Sequence, residues 1–112
     1  MAQIDLKLLT KGEVFMLSGA PRGVAARELF KLDQLEQTDE AISICAPEDL
    51  DTVTPSFVQG FLAKSVVNLG AERFKSRFDL SGLPEYLAKD FLVGIERLLM
   101  RDSNHHPNVL TQ

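Results

Sequence analysis

The sequence predicts a single α/β domain in which helices pack on a mixed β-sheet. Short β-prone segments alternate with longer segments whose apolar residues recur every three or four positions. The 112 residues suit one domain and show no internal repeat. The predicted order of elements is β-β-α-β-α-β-α, and its later alternation of strands with helices implies crossover connections.

A β-hairpin is predicted at the N-terminus. Apolar and polar residues alternate over 4–8, the period of a half-buried strand, and Lys11-Gly12 offers a turn before an apolar segment at 14–17. The Ser-Gly-Ala-Pro sequence at 18–21 ends that second strand. A helix is predicted over 21–35, because Ala25, Leu29 and Leu32 keep helical spacing and proline lacks the N–H that a first helical turn leaves unpaired.

The central segment predicts a strand and a second helix. The strand at 41–45 closes at Pro47, which cannot donate to a β-ladder. Thr54 is predicted to cap a helix that begins at Pro55. Its apolar stripe ends at Gly70, a position suited to positive φ.

The C-terminal part predicts a last strand and helix. In 72–80 apolar and charged residues alternate, which indicates a strand with one face in solvent. The basic residues on that face either contact phosphates or protect a strand edge. Pro84 is predicted to open the third helix. Residues 1–102 form the domain, and 103–112 are predicted to fray because the periodicity ends there.

The composition of the chain argues against several classes of function. A net charge of −4 argues against binding nucleic acid or an anionic membrane. Cys45 is the single cysteine, so a disulfide within the chain is excluded and a reducing cytoplasm is expected. No apolar run approaches the ~20 residues of a membrane span. His105 and His106 are adjacent and poorly placed to share one metal, so we expect no metal and no other cofactor. No histidine precedes them to act as a catalytic base, so we do not expect an enzyme.

Two predicted helix starts are the candidate sites. At the first, Ser18, Gly19, Arg22 and Gly23 precede or open a helix and would bind an anion, although the Gly-Lys-Ser/Thr ending of a P-loop is missing. The alternative is a plain strand-to-helix turn.

At the second helix start, Thr54 and Ser56 are either phosphoacceptors or anion contacts. The alternative is that they only cap the helix.

The sequence VTPSFVQGFL at 53–62, after a short strand and an acidic turn, resembles the STAS-like family. The resemblance extends from residue 3 to about 101 and includes LSGAPRG at 17–23 and LGAERFKSRFDL at 69–80. STAS-like domains are similar to anti-anti-sigma factors, which bind a partner kinase or ATPase and are switched by serine phosphorylation. The phosphoserine would fall at about Pro55, and the family's strand-end Asp-Phe is replaced by Ala46-Pro47.

The resemblance therefore implies a non-enzymatic regulatory module that binds a protein: an ATPase, a kinase or a DNA-binding regulator. Its contact or phospho-switch residues would be Thr54, Ser56 and Phe57. The alternative is a nucleotide- or anion-binding domain that uses the Ser18–Gly23 turn and the Thr54–Ser56 helix start. A self-assembling scaffold is a third hypothesis, because hairpin edges pair easily.

Overall fold

A computed structural model describes residues 2–104, the last three as backbone only. This part of the chain is an α/β fold of five helices and five short strands, so the predicted class is confirmed. In chain order the elements are β1 (Ala2–Asp5), α1 (Lys7–Thr10), β2 (Met16–Leu17), α2 (Ala20–Leu29), α3 (Leu32–Glu36), β3 (Ile42–Cys45), β4 (Thr52–Val53), α4 (Pro55–Arg77), β5 (Phe78–Asp79) and α5 (Glu85–Asn104).

The strands form two small parallel sheets. One sheet has the order β1-β3-β5, with Ile4 opposite Ile44, and the other pairs β2 with β4, with Leu17 opposite Val53. The predicted mixed sheet is corrected in this respect. At least one helix lies between any two paired strands in the chain, and such crossovers return the chain in the same direction.

The predicted hairpin, and with it the order β-β-α-β-α-β-α, is wrong. Asp5 Oδ1 accepts a hydrogen bond from Lys7 N (2.9 Å), and the chain turns into α1. Leu6 is fully buried whereas Leu8 is 58% exposed, so the alternation at 4–8 does not continue as a strand. As a result β1 and β2 lie in different sheets. Lys31, at φ 55°, splits the first predicted helix into α2 and α3.

The predicted strand at 72–80 is mostly helix. Gly70 (φ 80°, ψ 160°) interrupts α4 as its position predicts, but the helix resumes and ends at Arg77. Phe74 and Phe78 lie four residues apart, which fits neighbouring positions of a helix, and their ring centroids are 4.9 Å apart. Only Phe78–Asp79 joins a sheet, as β5.

The core lies where α2 and α5 contact α4. Phe57, Phe61 and Phe91 are among its largest fully buried side chains. At Gly23 and Gly60 the α2 and α4 backbones touch, because a Cβ on Gly23 would overlap Phe57 O and a Cβ on Gly60 would overlap Ala20 O. Glycine at these two positions allows the close approach of the helices.

Polar contacts fix α5 beside β4. Asp90 Oδ2 accepts from Thr52 Oγ1 (3.0 Å) and from Val53 N (3.1 Å). The Tyr86 hydroxyl donates to Leu50 O (2.9 Å). The helix continues through Asn104, past the predicted domain end at 102. The rest of the tail predicted to fray, residues 105–112, lies outside the described residues.

Candidate functional site

The starts of α2 and α4 lie side by side. β2 and β4 are paired and parallel, and each leads directly into one of these helices. Gly19 N donates to Thr54 Oγ1 (3.4 Å), and Thr54 N donates to Leu17 O (2.9 Å). The two helix starts named as candidate sites from the sequence are therefore brought together. They meet at the carboxyl ends of parallel strands, where α/β folds bind ligands.

Thr54 caps α4 as predicted. Its backbone is extended (φ −76°, ψ 154°), and Oγ1 accepts from Phe57 N (3.3 Å). Ser56 is exposed, with Oγ 3.1 Å from Thr54 Oγ1. The Thr54 oxygen thus serves three neighbours, whereas the Ser56 hydroxyl faces solvent in the first helical turn.

At the start of α2, the two candidate glycines have structural roles in the backbone. Gly19 is the N-cap at φ 89°, and its N–H is donated to Thr54. Gly23 is buried against α4, and its N–H is donated to Gly19 O (3.2 Å). Ser18 is half-buried beside them. Arg22 is exposed in the first turn, and its side chain makes no hydrogen bond or ion pair with the described residues.

An apolar pocket of about 250 Å³ lies between α1, β2, α2 and the start of α4, and we name it the Phe57 pocket. Phe57 is 1% exposed, while Leu29, 55% exposed, stands at the opening. Among the described residues that line it, Arg22 carries the one charged side chain. The pocket is lined by Leu9, Leu17, Arg22, Ala25, Ala26, Leu29 and Phe57. An apolar lining with one positive side chain is complementary to an apolar group that has a negative charge beside it.

Sequence reasoning named Phe57 and Arg22 separately and missed Leu9 and Leu29. Leu29 keeps helical spacing with Ala25 and Leu32 in the sequence. This apolar stripe is the sequence feature that could have indicated the pocket, because it lies beside the glycine and alanine positions at which α2 packs against α4. The sequence alone did not show that α1 covers the other side of the pocket, because α1 was predicted as strand.

Sequence reasoning also missed a buried ionic cluster. The Arg27 guanidinium donates through Nη2 to Asp33 Oδ1 and Glu36 Oε1 (2.7 Å each) and through Nη1 to Ser65 Oγ (2.7 Å). Glu36 also accepts from Asn68 Nδ2 (3.0 Å) and from the Ser65 hydroxyl. The available signal was Ser65, a polar residue within the apolar stripe of α4.

The buried cluster is structural. Arg27 is 4% exposed and Ser65 is fully buried, so neither presents a reactive atom at the surface. Both carboxylate oxygens of Glu36 are hydrogen-bonded, which satisfies the buried charge. The hydrogen bond from Arg27 lowers the pKa of the half-exposed Asp33 carboxyl. The cluster joins α3 to α2 and α4.

The basic residues at 73–77 do not share a strand face. Arg77 is buried and caps the end of α3, donating to Leu35 O (3.0 Å) and, through Nε, to Glu40 O (2.7 Å). Arg73 and Lys75 are exposed on α4. Burial raises the pKa of the Cys45 thiol, so its reactive thiolate is disfavoured.

Residues 2–104 contain no group of three or more His, Cys, Asp or Glu side chains that would hold a metal ion. His105 and His106 lie outside this part of the chain. None of its helices is both long enough and apolar enough to span a membrane.

The comparisons with known proteins add no family to this geometry. No protein-family model, curated protein or solved structure matches the chain. The resemblance to the STAS-like family stays a prediction from the sequence.

Proposed function

We propose that the chain is a non-enzymatic regulatory module that binds another protein at the Phe57 pocket and the adjoining starts of α2 and α4. The observation that carries the proposal is the pocket itself: it has a volume of about 250 Å³ and is lined by a buried phenylalanine, a half-exposed leucine and an arginine with no ion-pair partner among the described residues. Pockets that bury an apolar anchor of the partner dominate binding energy in protein interfaces. The class of partner, an ATPase, a kinase or a DNA-binding regulator, follows from the resemblance to the STAS-like family.

In the proposed complex the partner inserts an apolar side chain against Leu29 and Phe57. Arg22 lines the same pocket and has no ion-pair partner among the described residues. A carboxylate of the partner next to its apolar anchor would pair with Arg22. Such a pair fixes orientation and speeds encounter more than it adds affinity.

Phosphorylation of Ser56 is the proposed switch. Its exposed hydroxyl lies in the first turn of α4, where the helix dipole favours the negative charge of a phosphate. Phe57, which contributes to the pocket, is the next residue. A phosphate on Ser56 would place negative charge beside the partner's proposed carboxylate and weaken binding. Ser56→Asp should reproduce this loss while leaving the melting temperature nearly unchanged.

A second candidate function is nucleotide or anion binding at the same helix starts. The observation in its favour is that two helix N-termini adjoin each other and Arg22 has no partner among residues 2–104. The Gly19 and Gly23 amides are already donated within the protein, which leaves fewer donors for a ligand. Calorimetry with ATP, GTP and phosphate tests it, and no heat at millimolar ligand would exclude it.

The protein-binding proposal is tested with two glutamate variants of exposed apolar residues. Leu29→Glu places a charge at the opening of the Phe57 pocket, and Val67→Glu places one on α4, where Val67 is 77% exposed. Immobilised wild type and variants are compared in extracts of the source cells, and captured proteins are quantified by mass spectrometry.

We expect one partner to be retained by the wild type and by Val67→Glu and lost from Leu29→Glu. If every retained protein binds Leu29→Glu as well as the wild type, the pocket is not the binding site. Circular dichroism of both variants checks that they remain folded.

A further inference from the structure

Helix α5 exposes a line of residues on the side away from the core. Its buried residues include Leu87, Phe91 and Leu98. On the opposite side of the helix, five residues follow one another at intervals of three, four, three and four positions, so they form one line along its surface. We name this line the α5 stripe, and it consists of Tyr86, Lys89, Val93, Glu96 and Met100.

The α5 stripe alternates apolar and charged residues. The three apolar members, Tyr86, Val93 and Met100, are 47%, 43% and 63% exposed. Their spacing of seven residues is that of one of the two core positions of a coiled-coil heptad, and Lys89 and Glu96 take the other. Lys89 and Glu96 are exposed between them, and their side chains make no ion pair or hydrogen bond within residues 2–104.

The charges lie on defined flanks of the stripe. With about 100° of rotation per residue, Lys89 and Glu96 lie on the same side of Val93. Asp90 and Arg97 lie on the other side. Each flank therefore carries one positive and one negative side chain.

We propose that the α5 stripe binds the α5 stripe of a second copy of this chain in an antiparallel arrangement, with a twofold axis beside Val93. Tyr86 and Met100 are equally far from Val93 in the sequence. Tyr86 of each copy therefore lies level with Met100 of the other, a favourable contact between sulfur and aromatic ring.

Charge complementarity favours a second copy of the chain as the molecule that binds the α5 stripe. Lys89 precedes Val93 by four residues and Glu96 follows it by three, so in the antiparallel pair Lys89 lies within about 1.5 Å, one residue's rise, of the level of Glu96 in the second copy. The twofold axis keeps both residues on the same flank. Two Lys89–Glu96 pairs therefore form, one on each side of the axis.

A parallel pairing is less suited to the same surface. It would place Lys89 beside Asp90 of the second copy instead of beside Glu96. The Asp90 carboxylate already accepts from Thr52 Oγ1 (3.0 Å) and Val53 N (3.1 Å). The antiparallel arrangement uses the charges that have no partner among the described residues.

This inference does not depend on the proposed partner binding, because no residue of the α5 stripe lines the Phe57 pocket. If one proposal is wrong, the other is unaffected. Val93 variants test the α5 dimer, and Leu29 variants test partner binding at the Phe57 pocket.

The test is sedimentation equilibrium of the full chain at low salt, over micromolar to millimolar concentration. We expect the wild type to reach a dimer. Lys89→Glu alone and Glu96→Lys alone should each raise the dimer Kd by about tenfold, because each change turns two attractive contacts into two repulsive ones. The double variant, Lys89→Glu with Glu96→Lys, should restore the wild-type Kd.

Val93→Glu and Val67→Glu are the matched apolar variants. The first should abolish the dimer and the second should leave it unchanged. A wild type that stays monomeric at every concentration, a dimer insensitive to Val93→Glu, or a double variant that is not restored would each overturn the proposal. All these positions are exposed, and circular dichroism verifies the fold.

Discussion

A single hydroxyl at Thr54 connects the two helices that form the candidate site. Its oxygen accepts from Phe57 N within its own helix and from Gly19 N at the start of α2. The cap therefore stabilises α4 and also fixes the distance between two segments that are far apart in the sequence. Pattern alone predicts the first role, because Thr-Pro-Ser before an apolar stripe is typical of a helix start. The second role depends on the pairing of β2 with β4, which the sequence did not predict.

Thr54→Ala should lower the free energy of unfolding by about 1 to 2 kcal/mol. The variant loses the acceptor for Phe57 N and for Gly19 N. Urea unfolding followed by circular dichroism measures the loss. Ser56→Ala is the control and should remain within about 0.5 kcal/mol of wild type, because its hydroxyl is exposed. Equal stability of Thr54→Ala and wild type would mean that the cap is not formed.

Arg27→Met should lower the free energy of unfolding by about 3 to 5 kcal/mol, because it leaves the buried Glu36 carboxylate without its cation. Lys64→Met is the matched control. Lys64 is exposed and its Nζ lies 3.7 Å from Asp33 Oδ2, so its loss should cost less than about 1 kcal/mol. Chemical unfolding of both variants makes the comparison. Similar losses for the two would contradict a structural role for the buried cluster.

At the scale of elements, the sequence predicted the helices with strong turn signals and failed where a short pattern fits two structures. The starts of α2 and α4 and the strand at 42–45 follow from proline, glycine and β-branched residues. Over 72–80, alternation suggested a strand, yet Phe74 and Phe78 also fit neighbouring positions of a helix. Burial against the rest of the molecule decides between the two, and that information is not local.

The contact between α2 and α4 gives an element-scale prediction. Gly23→Ala should destabilise the protein by about 2 kcal/mol, although alanine favours helix, because the new methyl would overlap the α4 backbone at Phe57 O. Thermal unfolding measures the change. Gly12→Ala is the control: its added methyl meets no atom within 4 Å, so only the strain of φ 73° remains, about 1 kcal/mol. A Gly23→Ala protein as stable as wild type would show that the helices do not touch there.

At the scale of the whole molecule, the stability of the fold should depend on pH through Asp33. The Arg27 hydrogen bond holds the pKa of this carboxyl below its ordinary value of 3.8. A lowered folded-state pKa stabilises the protein above the unfolded-state value, and that contribution is lost as pH falls through the folded-state pKa. Asp33→Asn should therefore be less stable than wild type near pH 6, with the difference shrinking below about pH 4. A difference that stays constant across this range would contradict the assignment.

Hydrogen exchange of the complex measures whether the molecule binds its partner at the Phe57 pocket. The partner retained by wild type and lost from Leu29→Glu is added in excess, and amide exchange is followed by mass spectrometry with and without it. We expect slower exchange in peptides that cover 8–29 and 54–57, with α5 unchanged. Protection confined to α5 or to the end of α4, with 8–29 exchanging as in the free protein, would rule out binding at the Phe57 pocket.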